Sequence, residues 1–433
     1  MNIQSETVRK YVLEHLEDGS FSPEKRLPGF RKIADGLKIS CPVVQNALDK
    51  LVNEGILLAR PRSGLYVEPE WQYREIRGSL RVYPTGHPLP WMEKFCAEME
   101  KELPQLHVST RFQRCPLEIT TTMPAQSRHE EFMDLMPVLK ECYPDLTPFY
   151  AEQLRPFSSS GRLTALPFVF SPRLIALNRR MLREAGCAEP SADWVISDLA
   201  ALIGKLRTKF PQDRILNYLT IGFFWINFVL SCGGQLFDSR DPGKVTFDSP
   251  KALEGFRIAR ELVRPAGARN LPLNESAIMI IDRQTLCRIR KEGEMKDGWL
   301  YLPIPGNTPG RTGISMQATE LFAVRRGSLD RDLIAPIIRF LWSKKFQDHL
   351  ASLHYGIPIR KSSAEKSFAG CREPDSLFER YCPQICNEYR VSDPDLMLLI
   401  CRGVYRILER GAEPDRQIAE LAEVIRKYIE YRW

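Results

Sequence analysis

The chain has 433 residues, too many for one ordinary core, so two or three domains are expected. With 43% hydrophobic and 27% charged residues its balance is that of a soluble globular protein and not of a disordered or fibrous one. The longest apolar run, Leu219 to Leu230, is interrupted by Asn227 and falls short of the ~20 residues that cross a bilayer, so no membrane partner is expected. The N-terminus is charged and amphipathic, without the apolar segment of a secretory signal, and eleven scattered cysteines then read as reduced thiols of a cytoplasmic protein.

The net charge is +7, yet residues 1–70 hold as many Lys and Arg as Asp and Glu, so charge alone does not mark a nucleic-acid binder there. Local clustering does: Lys25, Arg26, Arg31, Lys32 and Lys38 lie close together, and Arg60 and Arg62 follow. Residues 5–16 have helical spacing, with Val8, Val12, Leu13 and Leu16 on one side. A second helix is predicted from Phe30 to Leu37, then a tight turn at Lys38-Ile39. Ser40 is placed to cap a third helix with Pro42 in its first turn and Gly55 as its stop. The runs 56–60 and 65–67 flank Pro61-Arg62-Ser63-Gly64 and predict a hairpin. This order is that of a winged helix-turn-helix, whose third helix enters the major groove of duplex DNA.

The segments RLPGFRKIADGLKIS (26–40), PVVQNALDKLVNEGIL (42–57) and RPRSGLYV (60–67) resemble the GntR family of bacterial regulators over residues 4–68. The resemblance implies DNA contacts by Arg31, Lys32 and Ser40, by Val43, Gln45 and Asn46 on the reading helix, and by Arg62, Ser63 and Gly64 in the wing. It also implies a homodimer. Two positions depart from the family pattern. Cys41 and Gln45 stand where arginines are common, which implies weaker phosphate attraction and a different operator.

Residues 69–78 read as a connector. Beyond them LRVYPTG (80–86) suggests a first strand. Helices are predicted at 91–103, 171–185, 194–210, 250–263 and 333–349, and strands at 164–170 and 320–324, an alternation that argues α/β architecture. The stretch 166–202, then CGGQLFDSRDPGKVTFDSPKALEGF (232–256), LYLPIPG (300–306), ATELFAVRRGS (318–328) and FLWSKKFQDHLASLHYGIPIR (340–360), resemble family 1 extracellular solute-binding proteins in the same order. The resemblance covers about residues 79–433 and weakens between about 105 and 160, where the family's acidic strand-end segment is hard to place. It implies two α/β lobes that close on a sugar or oligosaccharide. Thr85 and His87 after the first strand, Trp225 and Asn227 in the aromatic run, Gln317 in the Gly-rich loop, and the aromatics Trp299 and Tyr355 are the implied ligand contacts.

The expected architecture is therefore multidomain. A winged helix-turn-helix (α+β) at 1–68 and a linker at 69–78 precede a two-lobed α/β, periplasmic-binding-protein-like (type II) effector domain at 79–433. No catalytic pattern accompanies it: His129-Glu130 lacks a second histidine at metal spacing, Cys382 and Cys386 lack a partner pair, and the glycines of 306–313 lack a following Lys-Ser/Thr. No enzyme activity, metal or cofactor is expected. The leading reading is a DNA-binding regulator controlled by a small effector. The other is a cytoplasmic solute-binding module whose degenerate winged helix serves protein contact.

Overall fold

The computed structural model describes residues 3–83, 89–217, 225–238, 241, 243–263, 272–292, 298–309, 311–315, 317–381, 393–410 and 413–432. At the N-terminus α1 (Ile3–Glu17), α2 (Phe30–Leu37) and α3 (Cys41–Asn53) pack their apolar sides together, burying Val8, Val12, Leu13, Ile33, Val44, Leu48 and Leu51. The turn after α2 is made by Lys38 at φ 56°, and Gly55 at φ 72° ends α3; only glycine takes that second conformation without strain. Strands β1 (Leu57–Arg60) and β2 (Gly64–Val67) form the hairpin, and Arg26 bridges to Tyr66 along its edge.

This small core is completed from outside. Ile76, Phe112 and Cys115 are buried in it, and Trp71 meets Phe112 edge-on at 5.3 Å. Glu17 at the end of α1 accepts hydrogen bonds from His107 Nε2 (2.7 Å), Ser109 Oγ (2.9 Å) and the Thr110 amide (3.1 Å). Burial opposes its charge, but the bonds from His107 and Ser109 outweigh that and hold the carboxyl below its ordinary range. Arg9 forks onto Glu54 at 3.0 and 2.7 Å and reaches the Arg77 carbonyl at 2.9 Å. The Gly78 amide donates to Asp330 at 2.7 Å. Residues 69–78 thus run as a short 3-10 turn (Trp71–Tyr73) and a packed segment between the two parts.

Beyond it come β3 (Ser79–Val82), β4 (His107–Ser109), β5 (Leu117–Thr121), a two-residue hairpin β6 (Ser158–Ser159) with β7 (Arg162–Leu163), β8 (Leu166–Ser171), β9 (Arg173–Asn178), β10 (Leu216–Asn217), β11 (Ile278–Asp282), β12 (Trp299–Pro303), β13 (Ala318–Val324) and β14 (Ile357–Pro358). They form two main sheets, one in each lobe. The first lobe has the order β14-β8-β13-β5-β3-β4, the second β10-β11-β9-β12. The chain passes to the second lobe between β8 and β9, so Ser171 to Arg173 is one of the crossings.

That crossing corrects the expected helix at 171–185. Residues 173–178 are strand β9, and helix begins only at Arg179, capped by the Asn178 side chain. Leu174, Ile175, Ala176 and Leu177 are all buried, because β9 lies between β11 and β12 and is covered on both faces. A strand buried on both faces is a continuous apolar run, which period alone cannot separate from helix. The stretch 333–349 is likewise two helices, Arg331–Trp342 and Lys344–Ser352, divided at Ser343, whose Oγ accepts the Phe346 amide.

In the second lobe helices Trp225–Ser231 and Pro250–Leu262 touch back to back. A Cβ on Gly255 would lie 2.4 Å from the Val229 Cα. The C-terminal helices Pro394–Arg410 and Pro414–Arg432 bury Leu396, Met397, Ile400, Val404, Ile418 and Ile425 in the same core. Among the charged side chains the first lobe encloses are Arg283 and Glu320. Arg283 is fully buried and binds Asp375 Oδ1 (2.9 Å), the carbonyls of Gly356 (2.8 Å) and Ser367 (3.0 Å) and Ser367 Oγ (2.7 Å). Its guanidinium also lies 4.3 Å from the centre of the Phe368 ring. Glu320 accepts from Trp91 Nε1 (2.7 Å) and from the Tyr355 hydroxyl. Burial pushes the Glu320 carboxyl up to about 7, against the two hydrogen bonds.

Two outcomes follow from these groups. Arg283→Leu strands Asp375 with Arg290 alone and removes the donor to the Gly356 carbonyl; a loss of about 3–5 kcal/mol is expected, read as a lower urea midpoint. Because Glu320 holds its proton more tightly folded than unfolded, its contribution is complete below the ordinary value of 4.5 and is lost as pH rises through about 7. Glu320→Gln should flatten that decline in stability between pH 4.5 and 7; an unchanged pH profile of thermal unfolding would refute it.

Candidate functional site

The reading face is built on α3. Ser40 stands at its N-cap, and its carbonyl accepts the amides of Val43 and Val44 at 3.1 Å. Its hydroxyl makes no capping bond and is exposed, which leaves it open to a phosphate oxygen. Gln45 and Asn46 are exposed side by side, Val43 is half-buried beneath them, and Arg31 and Lys32 are exposed on α2. An exposed amide side chain on such a helix can pair with an adenine edge through two hydrogen bonds.

The wing carries more positive charge than the linear sequence suggests. Arg62 is exposed at φ 61°, and Ser63 Oγ meets the Tyr66 hydroxyl at 2.8 Å. Arg60 stacks over the Tyr66 ring at 4.2 Å, and the edge bridge brings in Arg26. Gly64 has φ 107°, a conformation that favours glycine, and Arg26 Nε lies 2.6 Å from where a Cβ would sit. Arg26 therefore belongs to the wing together with Arg60, a pairing set by the bridge across the hairpin and invisible to spacing.

The second candidate region is the crossing between lobes. Ser171 Oγ accepts the Arg283 amide (3.0 Å) and donates to the Pro172 carbonyl (2.7 Å). The Arg173 amide donates to Ser315 Oγ (2.6 Å), and Thr122 Oγ1 donates to the Gln317 carbonyl (2.9 Å). Gly313 lies so close to helix Trp225–Ser231 that a Cβ would fall 2.5 Å from Ser231 Oγ. Around this crossing several buried side-chain atoms have no hydrogen-bond partner among the described residues: both amide atoms of Gln317, Ser231 Oγ, Trp225 Nε1, Thr120 Oγ1 and Thr319 Oγ1. Register places Thr120 opposite Leu321, and Thr319 stands two residues before Leu321 on β13, so Thr120 and Thr319 share one face at the end of these strands.

Thr85 and His87 lie outside the described residues. Trp225 is fully buried, its ring 5.4 Å from Phe256, and Asn227 is buried in the same helix. Trp299 opens β12 opposite Asn178 and is nearly buried. Tyr355 is a core group of the first lobe and not an open contact, because its hydroxyl is engaged by Glu320, 35 positions away in sequence. The weakly patterned stretch 105–160 contains β5, whose end carries Thr120, Thr121 and Thr122 where an acidic segment was expected. Neither these threonines nor Ser231 and Ser315 were identified from sequence; the alternation in LEITT was the available signal for the strand.

Residues 4–67 match the model of the gntR family of bacterial regulatory proteins. No curated protein matches the chain in sequence. Solved structures similar to it are solute-binding proteins. A binding protein of Thermotoga lettingae, solved with alpha-D-tagatose, has a TM-score of 0.66 at 14% identity, covering 82% of this chain and 99% of its own. The GacH receptor of Streptomyces glaucescens, solved unliganded and with acarbose, has a TM-score of 0.62 at 15% identity, with the same coverage. The sugar-binding protein MalE of Xanthomonas citri has a TM-score of 0.64 at 15% identity, covering 82% of this chain and 98% of its own. At these identities the similarity establishes the fold. The chain is thus a GntR-family winged helix-turn-helix domain joined in one polypeptide to a two-lobed α/β domain of the MalE-like solute-binding fold.

Proposed function

We propose that the protein is a cytoplasmic transcription regulator that binds duplex DNA as a homodimer, its operator affinity set by a sugar or oligosaccharide held between the two lobes. In this reading residues 1–68 bind DNA, 69–78 connect, and 79–433 sense the effector. The observation that carries it is the joining of an exposed GntR-type reading face to a two-lobed frame whose crossing buries unpartnered hydroxyl and amide groups. Each such group costs about 1–3 kcal/mol when left unmet, a cost that a ligand meeting it would remove. The groups are neutral, and hydroxyls of a sugar satisfy neutral donors and acceptors without burying charge. The proteins of the same fold solved with tagatose and with acarbose support a carbohydrate as the first class to screen. Closure of the lobes on the ligand then changes how two reading heads are held.

Gel shifts should show tighter, salt-sensitive binding to the protein's own upstream region than to random DNA. Arg31→Ala should weaken binding to every duplex and reduce the salt slope by about one, whereas Gln45→Ala should cost about 1–3 kcal/mol on the specific site alone. Equal affinity for the upstream region and random DNA would overturn the reading.

A thermal-shift screen of mono- and oligosaccharides should yield a stabilising ligand. Gln317→Leu should abolish that shift while raising the unliganded melting temperature by about 2 °C, because it removes an unmet buried amide. A screen with no hit, or a Gln317→Leu protein that keeps the full shift, would count against the site.

A further inference from the structure

Helix Pro394–Arg410 lies on the outside of the second lobe and has two distinct sides. Leu396, Met397, Ile400, Cys401 and Val404 face the core. Asp395, Leu398, Leu399 and Arg402 are exposed, spaced i, i+3, i+4 and i+7, and so share one face. Leu398 and Leu399 are each 40% exposed, an adjacent apolar pair on solvent. Among the described residues neither the Asp395 carboxylate nor the Arg402 guanidinium is in an ion pair. A groove of about 900 Å³ runs beside them, lined also by Tyr405 and Arg406.

The order acid, x, x, Leu, Leu, x, x, Arg is self-complementary about the point between the leucines. An identical helix laid antiparallel on this face, with the two-fold axis at that point, sets Leu398 against Leu399 of the other copy. The same operation sets Asp395 against Arg402 of the other copy, once at each end. A two-fold contact requires such a patch, in which residue i meets residue j and j meets i. We infer that a second copy of this chain docks here, through helix Pro394–Arg410 paired antiparallel with itself. The inference takes dimerisation from the functional reading above and names its surface; it needs neither operator nor sugar. The helix is part of the second lobe, whereas α1 is bonded to the first through Glu17, which meets His107 and Ser109. Lobe closure would then swing each reading head relative to the dimer axis.

The test is sedimentation equilibrium of the full chain without DNA or ligand, from about 1 to about 100 µM, the range suited to a small interface. The wild type should dimerise, and Leu399→Glu should be monomeric with an unchanged melting temperature. Asp395→Arg and Arg402→Asp should each weaken the dimer about tenfold or more by facing like charges, and the double variant should restore it. A monomeric wild type, a dimer indifferent to Leu399→Glu, or a double variant no better than the singles would overturn the inference. Any of these leaves the gel-shift and sugar-binding tests standing, so failure of this surface is separable from failure of the functional reading.

Discussion

The attachment of α1 to the first lobe is the contact on which the rest of the architecture turns. A winged helix of under 70 residues buries little apolar area, and such domains are marginal alone. Here Ile76 from the connector and Phe112 and Cys115 from the following domain fill its core, and the Glu17 carboxylate is tied to His107, Ser109 and Thr110. A carboxylate with several partners is fixed in direction as well as position, because each donor constrains one lone pair. The reading helix therefore takes its orientation from the first lobe.

This makes the molecule mechanically asymmetric. The first lobe carries the winged helix, with Arg9, Arg77 and Asp330 continuing the seam. The second lobe carries the C-terminal helix pair in its own core. Among the described residues the crossings between them carry polar bonds at Ser171, Ser315 and Thr122, beside two dense cores. The buried Arg283 sits just past one crossing and ties residues 356–375 to that point.

The unmet polar atoms beside the crossing contrast with those pairs. Glu320 and Arg283 are fully enclosed and well partnered, as buried charge must be. Gln317, Thr120 and Ser231 are enclosed with side-chain atoms unpartnered.

The winged helix was legible from sequence almost to the residue, because its turns need particular chemistry: Pro42 in the first turn of α3, Gly55 as its stop, and Gly64 at positive φ in the hairpin. The two-lobed class was legible from ordered segments, and the amphipathic helices at 92–102 and 250–262 from their period. Strand β9 was not, since full burial on both faces erases the alternation that distinguishes strand from helix. Nor was the engagement of Tyr355 by Glu320, the gathering of Arg26 with Arg60 on the wing, or the threonine end of β5. Sequence determines local conformation through short-range sterics and periodic burial, and so it determined which elements form. Which polar groups meet, and which are left unmet at the crossing, depends on pairs of residues far apart in the chain, and only the packed tertiary structure decided them.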